Sequence, residues 1–555
     1  MFPRSGADNA TKPRARYLSD RAGRIRLMDR STIFATGAAI LALQLIASRV
    51  LAPFFGVSLY IWSGILSVTL LCLAIGYDAG GRVTRRIGVE SLAALFYLMP
   101  AVSGTAIAAA CFVYPVLFGP LARFDLLAGS FAAATLLLAV PLVALSALNP
   151  ILVAIERAGE GSSGDAGAGR VFFISTIGSV AGVSLAAFAL IPHFGNRLGI
   201  GMIALGLSAL ALAGVAVRGL RATRVGVWAV GLGLVGAALS LVVVTIELKD
   251  ERSMPLADGF GRTLNPVAVY PSFFGGIKVV DAVDGAESYR ILFNDGIFQN
   301  SVYPDGRSAA TFTYLLEAAA RTLRPDAARA LVLGLGAGTV PQALAARGVS
   351  VVAVELNPRM VEAARAHFGF KDAPGLAVIA ADARTVVQRC PERFDIVIAD
   401  LFAGDGSPEH LVTREFYRDV RACLTRDGIM GLNTFVDPDH PEPFRALVAT
   451  CVSVFGTCAV LETESNGVVV AARDPDTLGR LWSIRLDGMS VPPALAARLN
   501  ESLSSIELHA ADSPLVWGQP VLTDDGNRYA ALAAGMQSAY RRWVLERIPD
   551  RLLVN

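Results

Sequence analysis

The chain has 555 residues, of which 54% are hydrophobic and 17% are charged, and its mean hydropathy is +0.52. A soluble protein usually carries about 25% charged residues, so this composition excludes a disordered chain, a collagen-like fibre and a wholly water-soluble globule. The net charge of +2 gives no general electrostatic reason to expect nucleic-acid binding. Because the apolar residues are concentrated before residue 250, we predict a membrane region followed by a soluble region.

The first half carries stretches that are long and apolar enough to cross a bilayer as helices, which takes about 20 residues each. There are seven, over 32–52, 59–77, 89–114, 124–148, 171–191, 196–217 and 225–246. We therefore predict a multi-pass α-helical membrane domain over residues 31–250. Small residues at helical spacing (Gly178, Gly182 and Ala186) predict close packing between helices.

Basic residues are concentrated in a segment over residues 1–30, which places the N-terminus in the cytoplasm under the positive-inside rule. Seven crossings from that side would leave the soluble half outside. The chemistry inferred below needs a cytosolic metabolite, so we predict a cytoplasmic soluble half. That placement requires a re-entrant or split segment, or an N-terminus on the outer side.

The soluble half begins with a small β-strand region and a connecting helix, assigned to residues 251–325. Its predicted elements are strands over 267–271, 276–283 and 288–294 and a helix over 308–323. The runs Asp284-Gly285 and Asn294-Asp295-Gly296 are typical of hairpin turns.

From residue 326 to residue 475 strands alternate with helices. The strands are predicted over 330–335, 349–356, 376–381, 394–399 and 428–433, with a closing pair over 457–462 and 467–472. Strands separated by helices favour a parallel, doubly wound α/β sheet, so we predict a Rossmann-like domain of the class I methyltransferase type. Residues 476–555 are predicted to form a helical C-terminal extension.

A glycine-rich loop follows the first of these strands and opens a helix. Gly334, Gly336 and Gly338 let the backbone turn and approach a ligand, and Glu355 ends the next strand at the spacing expected of a ribose-binding carboxylate. The loop reads GxGxG and has no basic residue for a pyrophosphate. It is therefore similar to motif I of the S-adenosylmethionine-dependent class I methyltransferase fold rather than to a dinucleotide fingerprint.

Asp382 and Ala383 follow the third strand of this domain and are placed to hold the amino group of an adenine. The alternative is that Asp382 only caps the next helix. The cysteines form no CxxC pair and the histidines show no HExxH spacing, so we predict no metal site and no disulfide framework.

Further short motifs accompany these residues. They are Asn294–Gln299, which is similar to LDGxxQ; Tyr314; Ile398–Asp400; Thr523–Asp525; and, in the first half, Ala47–Gly56, Gly80–Arg82 and Ser175–Ser179. With them the chain resembles the spermidine synthase (polyamine aminopropyltransferase) family, in its membrane-fused bacterial branch. The resemblance covers most of the chain.

The resemblance implies that an aminopropyl group passes from decarboxylated S-adenosylmethionine to a small-molecule amine such as putrescine, releasing methylthioadenosine. The attacking amine must be neutral, so the site needs a carboxylate that takes its proton. Asp400, at the mouth of the fourth strand, is the predicted general base, the alternative being an Asp that caps the next loop. Gln299 and Tyr314 are expected to orient the donor or acceptor, and Asp405 and Asp525 to bind the substrate.

The resemblance also implies a multi-pass protein of the bacterial inner membrane, with the lipid bilayer as a partner and a homodimer allowed. Three departures from the family pattern leave alternatives open. Ala337 stands where the family has an Asp for the donor's amine, Asp405 is shifted from the family's second loop acid, and Phe274-Gly275 replaces a Tyr-Gln pair. The alternatives are a methyltransferase or lyase that uses intact S-adenosylmethionine, and a membrane transporter or sensor with a nucleoside-binding domain.

Overall fold

In a computed structural model of the chain, the described residues are 11–56, 59–160, 164–248, 255–285, 287–390, 392–402, 404–463 and 465–554. The start of the predicted basic segment and the predicted boundary near residue 250 lie outside them. The chain divides into two compact units. The helical unit comprises Met1–Phe55, Tyr60–Glu251 and Val554–Asn555, and the α/β unit comprises Gly56–Leu59 and Arg252–Leu553.

The helical unit consists of long apolar helices. These are α1 (Thr11–Phe55), α2 (Leu59–Thr84), α3 (Val89–Phe124), α4 (Leu126–Ser146), α5 (Leu148–Glu160), α6 (Gly164–Leu185), α7 (Ile191–Phe194), α8 (Asn196–Arg218) and α9 (Arg224–Leu248). A π-helical turn, Ala186–Leu190, joins α6 to α7. Within the described residues, seven helical stretches are long and apolar enough to cross a membrane, since α4 with α5 and α6 with α7 each form one stretch. The predicted number of such stretches is therefore confirmed.

Small residues allow α6 to approach α1 closely, as their spacing predicts. A Cβ atom added to Gly178 or to Gly182 would lie 2.1 Å from a backbone oxygen of α1, that of Phe34 or Ala38 respectively. No side chain fits at such a distance, so these two glycines set the separation of the helices.

Buried ionic groups also join helices of this unit, which hydropathy alone did not indicate. Asp29 on α1 is 4% exposed and accepts hydrogen bonds from the Tyr97 hydroxyl and the Arg218 guanidinium. Arg197 on α8 pairs with Glu247 on α9 at 2.9 Å. A charge so placed needs a partner, and each of these carboxylates has one.

The α/β unit begins with an antiparallel sheet of five strands in sequential order. They are β1 (Leu256–Ala257), β2 (Thr263–Tyr270), β3 (Ile277–Asp284), β4 (Glu287–Asn294) and β5 (Ile297–Val302), followed by α10 (Thr311–Leu323). The turn between β4 and β5 has positive φ at Asp295 (47°) and Gly296 (76°), which confirms the predicted tight hairpin. Strand β5 was missed because its Gln and Asn residues weaken the β pattern.

The remaining elements form the predicted Rossmann-like layers. They are β6 (Arg329–Leu333), α11 (Thr339–Ala346), β7 (Ser350–Glu355), α12 (Pro358–His367), β8 (Leu376–Ala380), α13 (Ala383–Arg389), β9 (Phe394–Ala399), α14 (Arg414–Cys423), β10 (Leu424–Phe435), α15 (Glu442–Phe455), β11 (Cys458–Glu462), β12 (Asn466–Ala472), α16 (Pro493–Ser504), β13 (Glu507–His509), α17 (Tyr529–Arg547) and α18 (Asp550–Leu553). A 3-10 segment, Pro475–Ser483, precedes α16.

The eight-stranded sheet has the order β13-β11-β12-β10-β9-β6-β7-β8. Strands β10, β9, β6, β7 and β8 are parallel, whereas β12, β11 and β13 are antiparallel to their neighbours. The α/β fold is thus confirmed, but the sheet is mixed and the C-terminal extension contributes a strand to it. From β6 the chain adds β7 and β8 on one side and then adds β9 on the other side. The strand order therefore reverses between β6 and β9, and this is the switch point at which α/β sheets bind ligands.

Both faces of this sheet are buried, as the apolar runs predict. Along β6, Ala330 and Val332 join one apolar cluster, and Leu331 and Leu333 join the cluster on the other face.

One expectation about the cysteines needs correction. Cys390, just after α13, forms a disulfide with Cys423 at the end of α14, with their Cα atoms 5.7 Å apart. The two residues are 33 positions apart in sequence, so only the fold brings them together.

Candidate active site

The glycine-rich loop occupies the carboxyl end of β6, at the switch point. Gly334, Gly336 and Gly338 all have positive φ, at 90°, 53° and 79°. A Cβ at Gly334 would lie 2.0 Å from the Asp400 carbonyl oxygen, and one at Gly338 would lie 2.3 Å from the Phe370 ring. A Cβ at Gly336 would meet no atom within 4 Å. The outer glycines are therefore required by protein packing, and the middle one leaves its backbone open to a ligand.

Glu355 ends the neighbouring strand, β7, and its carboxylate binds this loop. One carboxylate oxygen accepts the backbone N–H of Leu335 at 3.0 Å, and the other accepts that of Asn357 at 2.8 Å. Burial raises the pKa of the Glu355 carboxyl, although these backbone donors act in the opposite direction. The carboxylate lies beside the loop, where a ribose would be held; the ribose role itself stays a prediction.

Asp382 follows β8 and caps α13. Its carboxylate accepts the Thr385 backbone N–H at 2.9 Å, and His410 Nε2 lies 3.4 Å away. Burial raises the pKa of Asp382, but the hydrogen bonds from Thr385 and His410 outweigh it, so the pKa lies below its usual value. Asp382 therefore caps α13. The adenine role of Asp382 and of the buried Ala383 stays a prediction.

The segment around residue 525 contacts the region of Asp382 through Asp524 and not through Asp525, the residue predicted to bind the substrate. Arg384, on α13, donates to Asp524 at 2.6 Å, and the Asp524 backbone N–H donates to Glu415 at 3.0 Å. Asp525 is exposed. Asp524 therefore attaches this segment beside Asp382, and substrate binding by Asp525 stays a prediction.

Asp400 directly follows β9 and begins a chain of hydrogen-bonded side chains. Asn433 donates to the Asp400 carboxylate at 2.8 Å, and Asn466 donates to the Asn433 side-chain oxygen at 3.0 Å. Burial raises the pKa of Asp400 to about 6, with the Asn433 amide opposing the shift and the nearby Glu355 charge adding to it. A carboxylate with this pKa is ionised at neutral pH and is more basic than an ordinary Asp.

Asp405 lies on the loop after Asp400 and is tied to the C-terminal helices. It is 4% exposed and pairs at 3.2 Å with Arg541 of α17, which is 1% exposed. Sequence reasoning gave Asp405 a substrate-binding role and did not identify Arg541. The ion pair shows what the Asp405 carboxylate does within the protein, and contact with a substrate stays a prediction.

The two residues expected to orient ligands differ in their environment. The Gln299 side-chain nitrogen, on β5, is buried and has no hydrogen-bond partner among the described residues. The Tyr314 hydroxyl donates to the Ser308 carbonyl oxygen at 2.9 Å, and burial raises the Tyr314 pKa. Gln299 therefore offers a donor to a ligand, whereas Tyr314 holds the segment before α10.

These groups fit an adenosyl sulfonium compound. Gly336 leaves open space, Glu355 and Asp382 supply carboxylates, and Gln299 supplies an unused donor. The Asn357 side-chain nitrogen, next to Glu355, is a second buried donor without a partner in the described part of the chain. Buried polar atoms are normally hydrogen-bonded, so such unused donors are features of a ligand site. In the same part of the chain, no cluster of three or more His, Cys, Asp or Glu residues could hold a metal ion.

A cavity of about 920 Å³ opens beside the Asp400 chain. The residues that line it include Gln299, Asn433 and Asn466, together with Phe402 and Asp405 of the loop after β9. Because Asn433 hydrogen-bonds to Asp400, the cavity begins one residue from the candidate base. Asp400 itself is not among the residues that line the cavity, and the Asn433 amide connects its carboxylate to it.

The fold and this site define an α/β domain of the class I methyltransferase type, and a methyltransferase domain model matches residues 330–428. The chain is 31% identical over 198 residues to the N-terminal histidine N-methyltransferase of Emericella nidulans, covering 31% of this chain and 35% of the relative. It is 34% identical over 140 residues to the polyamine aminopropyltransferase of Vibrio vulnificus, covering 24% and 45%. A probable spermidine synthase from Corynebacterium glutamicum aligns in structure with 18% identity and a TM-score of 0.37, covering 49% of this chain and 97% of that one.

The chain thus spans less than half the length of these two curated relatives. Further polyamine aminopropyltransferases, from Nitrosomonas europaea and Korarchaeum cryptofilum, are 28% and 32% identical over 210 and 188 residues. The predicted resemblance to the polyamine aminopropyltransferases is confirmed.

Sequence reasoning missed two amides of this site. Asn433 lies near the carboxyl end of a strand that was predicted, so the rule that pointed to Asp400 could also have found it. Asn466 begins an antiparallel strand, β12, and no sequence signal relates it to Asp400.

Proposed function

We propose that the α/β unit transfers an aminopropyl group from decarboxylated S-adenosylmethionine to an amine of the putrescine type, with methylthioadenosine as the second product. The observation that carries the proposal is the hydrogen-bonded chain from Asp400 through Asn433 to Asn466. This chain joins the switch point of the sheet to the cavity. It sets a carboxylate of raised pKa between the glycine-rich loop and the space for an acceptor.

The reaction is an in-line displacement at a carbon bonded to a sulfonium. The amine nitrogen forms a bond to this carbon, the carbon–sulfur bond breaks, and its electron pair stays on sulfur as a neutral thioether. The nitrogen gains a positive charge and gives one proton to Asp400. An amine is nucleophilic only without its extra proton, so a nearby carboxylate with a pKa of about 6 assists the attack above that pH.

The donor is held by groups on the other side of the glycine-rich loop. Glu355 binds the ribose hydroxyls, Asp382 with the Ala383 backbone binds the adenine, and Gly336 lets the nucleoside approach the chain. Gln299 donates to the donor or acceptor from the hairpin side. Their positions at adjacent strand ends support this assignment.

A second candidate is methyl transfer from intact S-adenosylmethionine to an amine. Ala337, in the place of the family's amine-binding acid, is 1% exposed and packs in an apolar cluster with Ile277, Val279 and Leu292. The loop therefore offers no carboxylate to the amine of a decarboxylated donor. A similar relative, the N-terminal histidine N-methyltransferase, also uses a nitrogen acceptor, as its name states.

One experiment separates the two reactions. The purified full chain is incubated with each donor, with and without putrescine, and the products are identified by mass spectrometry. Methylthioadenosine that forms from the decarboxylated donor only when the amine is present supports aminopropyl transfer. S-adenosylhomocysteine and a methylated amine support methyl transfer. Amine-independent methylthioadenosine from the intact donor would indicate a lyase and contradict both.

We further propose that the helical unit anchors the enzyme in a bacterial inner membrane, with its soluble half in the cytosol where the donor is made. Two features of the chain argue against a cytosolic soluble half. Seven crossings from a cytoplasmic N-terminus end outside, and a disulfide such as Cys390–Cys423 is typical of an oxidising compartment. Protease digestion of intact spheroplasts and of inverted membrane vesicles tests the placement: cleavage of the α/β unit only in the inverted vesicles supports a cytosolic unit, and cleavage in intact spheroplasts contradicts it.

A further inference from the structure

The helical unit contains a groove of about 470 Å³ beside α2 and α3, hereafter the apolar groove. Its lining residues are all apolar or glycine, and they include Val83 of α2, Leu95 and Met99 of α3, Val140 of α4 and Ile151 of α5. Val140 is 53% exposed, so the groove is open to the surroundings of the helices. Its volume lies in the range of ligand-binding pockets.

Close packing of α2 on α4 accompanies this groove. A Cβ atom added to Gly76 would lie 1.8 Å from the Ser146 side-chain oxygen, and one added to Gly80 would lie 2.6 Å from the Ala147 carbonyl oxygen. No side chain fits at these distances, so the two glycines bring α2 against the end of α4. The position of α2 is therefore set by α4, and the space towards α3 stays open.

Two arginines lie at one end of the apolar groove. The connector from α2 to α3 carries Arg85 and Arg86, and both side chains are exposed. Within the described residues neither guanidinium has an ion pair, whereas Arg82 is paired with Asp78. With Glu90 included, residues 78–90 carry three basic and two acidic side chains, a net charge of +1. This end of the groove therefore favours an anionic group.

The length and volume of the apolar groove suit the acyl part of a lipid. The groove begins at Val83, two residues before Arg85, and runs along α3 from Leu95 to Val102, which is about 10 Å at 1.5 Å per residue. This length fits within one leaflet, because half of the hydrocarbon core is about 15 Å thick. The 470 Å³ holds about sixteen carbon-sized atoms at roughly 30 Å³ each. An acyl chain in this space makes van der Waals contacts that an empty groove would lose.

We propose that the apolar groove and the two connector arginines form a binding site for an anionic phospholipid. An acyl chain lies in the groove, and Arg85 and Arg86 bind the phosphate of the headgroup. Arginine suits this role because its planar guanidinium can give two hydrogen bonds to the oxygens of one phosphate. The inference rests on the proposed insertion of the helical unit into a bacterial membrane and does not depend on the proposed reaction.

Native mass spectrometry of the full chain in detergent measures the headgroup preference. The chain is titrated with phosphatidylglycerol, which is anionic, and with phosphatidylcholine, which carries a zwitterionic headgroup on the same acyl chains. We expect phosphatidylglycerol to bind at least about tenfold more tightly, because each arginine near the membrane surface adds to the attraction of an anionic lipid. Equal affinities for the two lipids in the wild-type chain would overturn the proposal.

Charge variants test the role of the connector. In the double variant Arg85→Gln with Arg86→Gln, the affinities for the two lipids should agree within about threefold, because the charge that distinguishes the headgroups is gone. The control is Arg221→Gln with Arg224→Gln, which removes two exposed arginines before and at the start of α9, and it should keep the preference. An unchanged preference in the Arg85 and Arg86 variant would contradict the headgroup assignment.

A matched pair of variants tests the groove itself. Val102→Trp fills the groove from α3, and Val116→Trp makes the same change at a 67% exposed position of α3 that does not line it. We expect the first to weaken the binding of both lipids by about 5–20-fold, because the acyl chain loses its contacts, and the second to change neither affinity. If Val102→Trp unfolds the chain, Ala139→Leu fills the groove from α4. Unchanged phosphatidylglycerol affinity in the folded variant contradicts the assignment, and so does a dimer that this variant dissociates, since a second copy would then occupy the groove.

Failure of this inference and failure of the proposed function give different results, because lipid binding is measured without any adenosyl donor. Release of the chain from membranes by alkaline carbonate would refute the proposed insertion and the lipid site together. Lipid binding that depends on Arg85 and Arg86, in an inserted chain that turns over no donor, would retain the lipid site and refute the reaction. Turnover by an inserted chain without preference for the anionic lipid would retain the reaction and refute the lipid site.

Discussion

The proposed donor side, at the strand ends, and the proposed acceptor side, along the cavity, are built in different ways. The donor side uses the ends of adjacent parallel strands, and backbone hydrogen bonds and glycine conformations fix its geometry, as at Leu335, Gly334 and Gly338. The acceptor side is assembled from side chains that lie between residue 260 and residue 548. A local motif can therefore specify the nucleoside, whereas the acceptor depends on how distant elements fold together. Asp400, which follows β9 and bonds to Asn433 of the cavity lining, connects the two sides.

The largest effect is expected where the two sides meet. Asp400→Asn removes the base but keeps a side chain of the same shape, so kcat should fall by about 10²–10⁴-fold. Methylthioadenosine affinity should stay within about threefold, because Asp400 acts on the acceptor. Product formation by mass spectrometry and calorimetry measure the two quantities. Retained turnover in this variant would remove Asp400 from the mechanism.

The second-largest effect is expected at the ion pair between Asp405, on the loop after β9, and Arg541 of α17. Arg541→Met leaves the buried Asp405 charge unpaired and should lower the free energy of unfolding by about 3–5 kcal/mol. Thermal unfolding of the full chain measures the loss, with Arg542→Met, an exposed neighbour, as the control. Adding Asp405→Asn should recover part of it, since the uncompensated charge is then gone. Equal free energies of unfolding for the Arg541→Met and Arg542→Met variants would show that the ion pair does not stabilise this part of the protein.

A smaller effect is expected on the donor side. Glu355→Ala removes a carboxylate that bonds the glycine-rich loop and is predicted to bind the ribose. Methylthioadenosine affinity should weaken by about 1–3 kcal/mol, as for a lost hydrogen bond to a charged group. Glu362→Ala, at an exposed position of α12, is the matched control. Equal affinities in the two variants would contradict the ribose assignment.

The smallest effect is a shift in pH dependence. The pKa of Asp400 is raised to about 6, so the base is lost as pH falls through that value, and kcat/KM should fall on the acidic side. The Asn433 amide lowers this pKa. Asn433→Leu should therefore move the acidic limb upward by about one pH unit. Asn466→Ala, one hydrogen bond further away, should move it less. If the acidic limb of kcat/KM does not move in Asn433→Leu, a group other than Asp400 is responsible for it.

Sequence reasoning located most of the fold because its signals are local. The apolar stretches gave the seven long helices, and the β6–β10 strands were found from buried runs between helices. Strand β13 and the Cys390–Cys423 bond were not predicted, because both depend on tertiary contacts between segments far apart in sequence. The same limit applies to Asp29, whose burial depends on helices α3 and α8.

The residues of the candidate site also divide into those with a local sequence signal and those without one. Gly334, Glu355 and Asp400 were identifiable because strand ends at a switch point carry ligands. The pairing of Asp405 with Arg541 was not, since 136 residues separate them. The aromatic rings that line the cavity have no sequence pattern, because they come from the turn before β2, the loop after β9, the end of β10 and α17.

The most direct test of the central claim is calorimetric titration of the full chain with methylthioadenosine, beside a Gly336→Val variant. Gly336 faces open space at the loop, so a valine there fills the region where the nucleoside is expected to lie. The account predicts one methylthioadenosine bound per wild-type chain and no measurable binding to the variant. Absence of binding to the wild type, or equal binding to both, would contradict it.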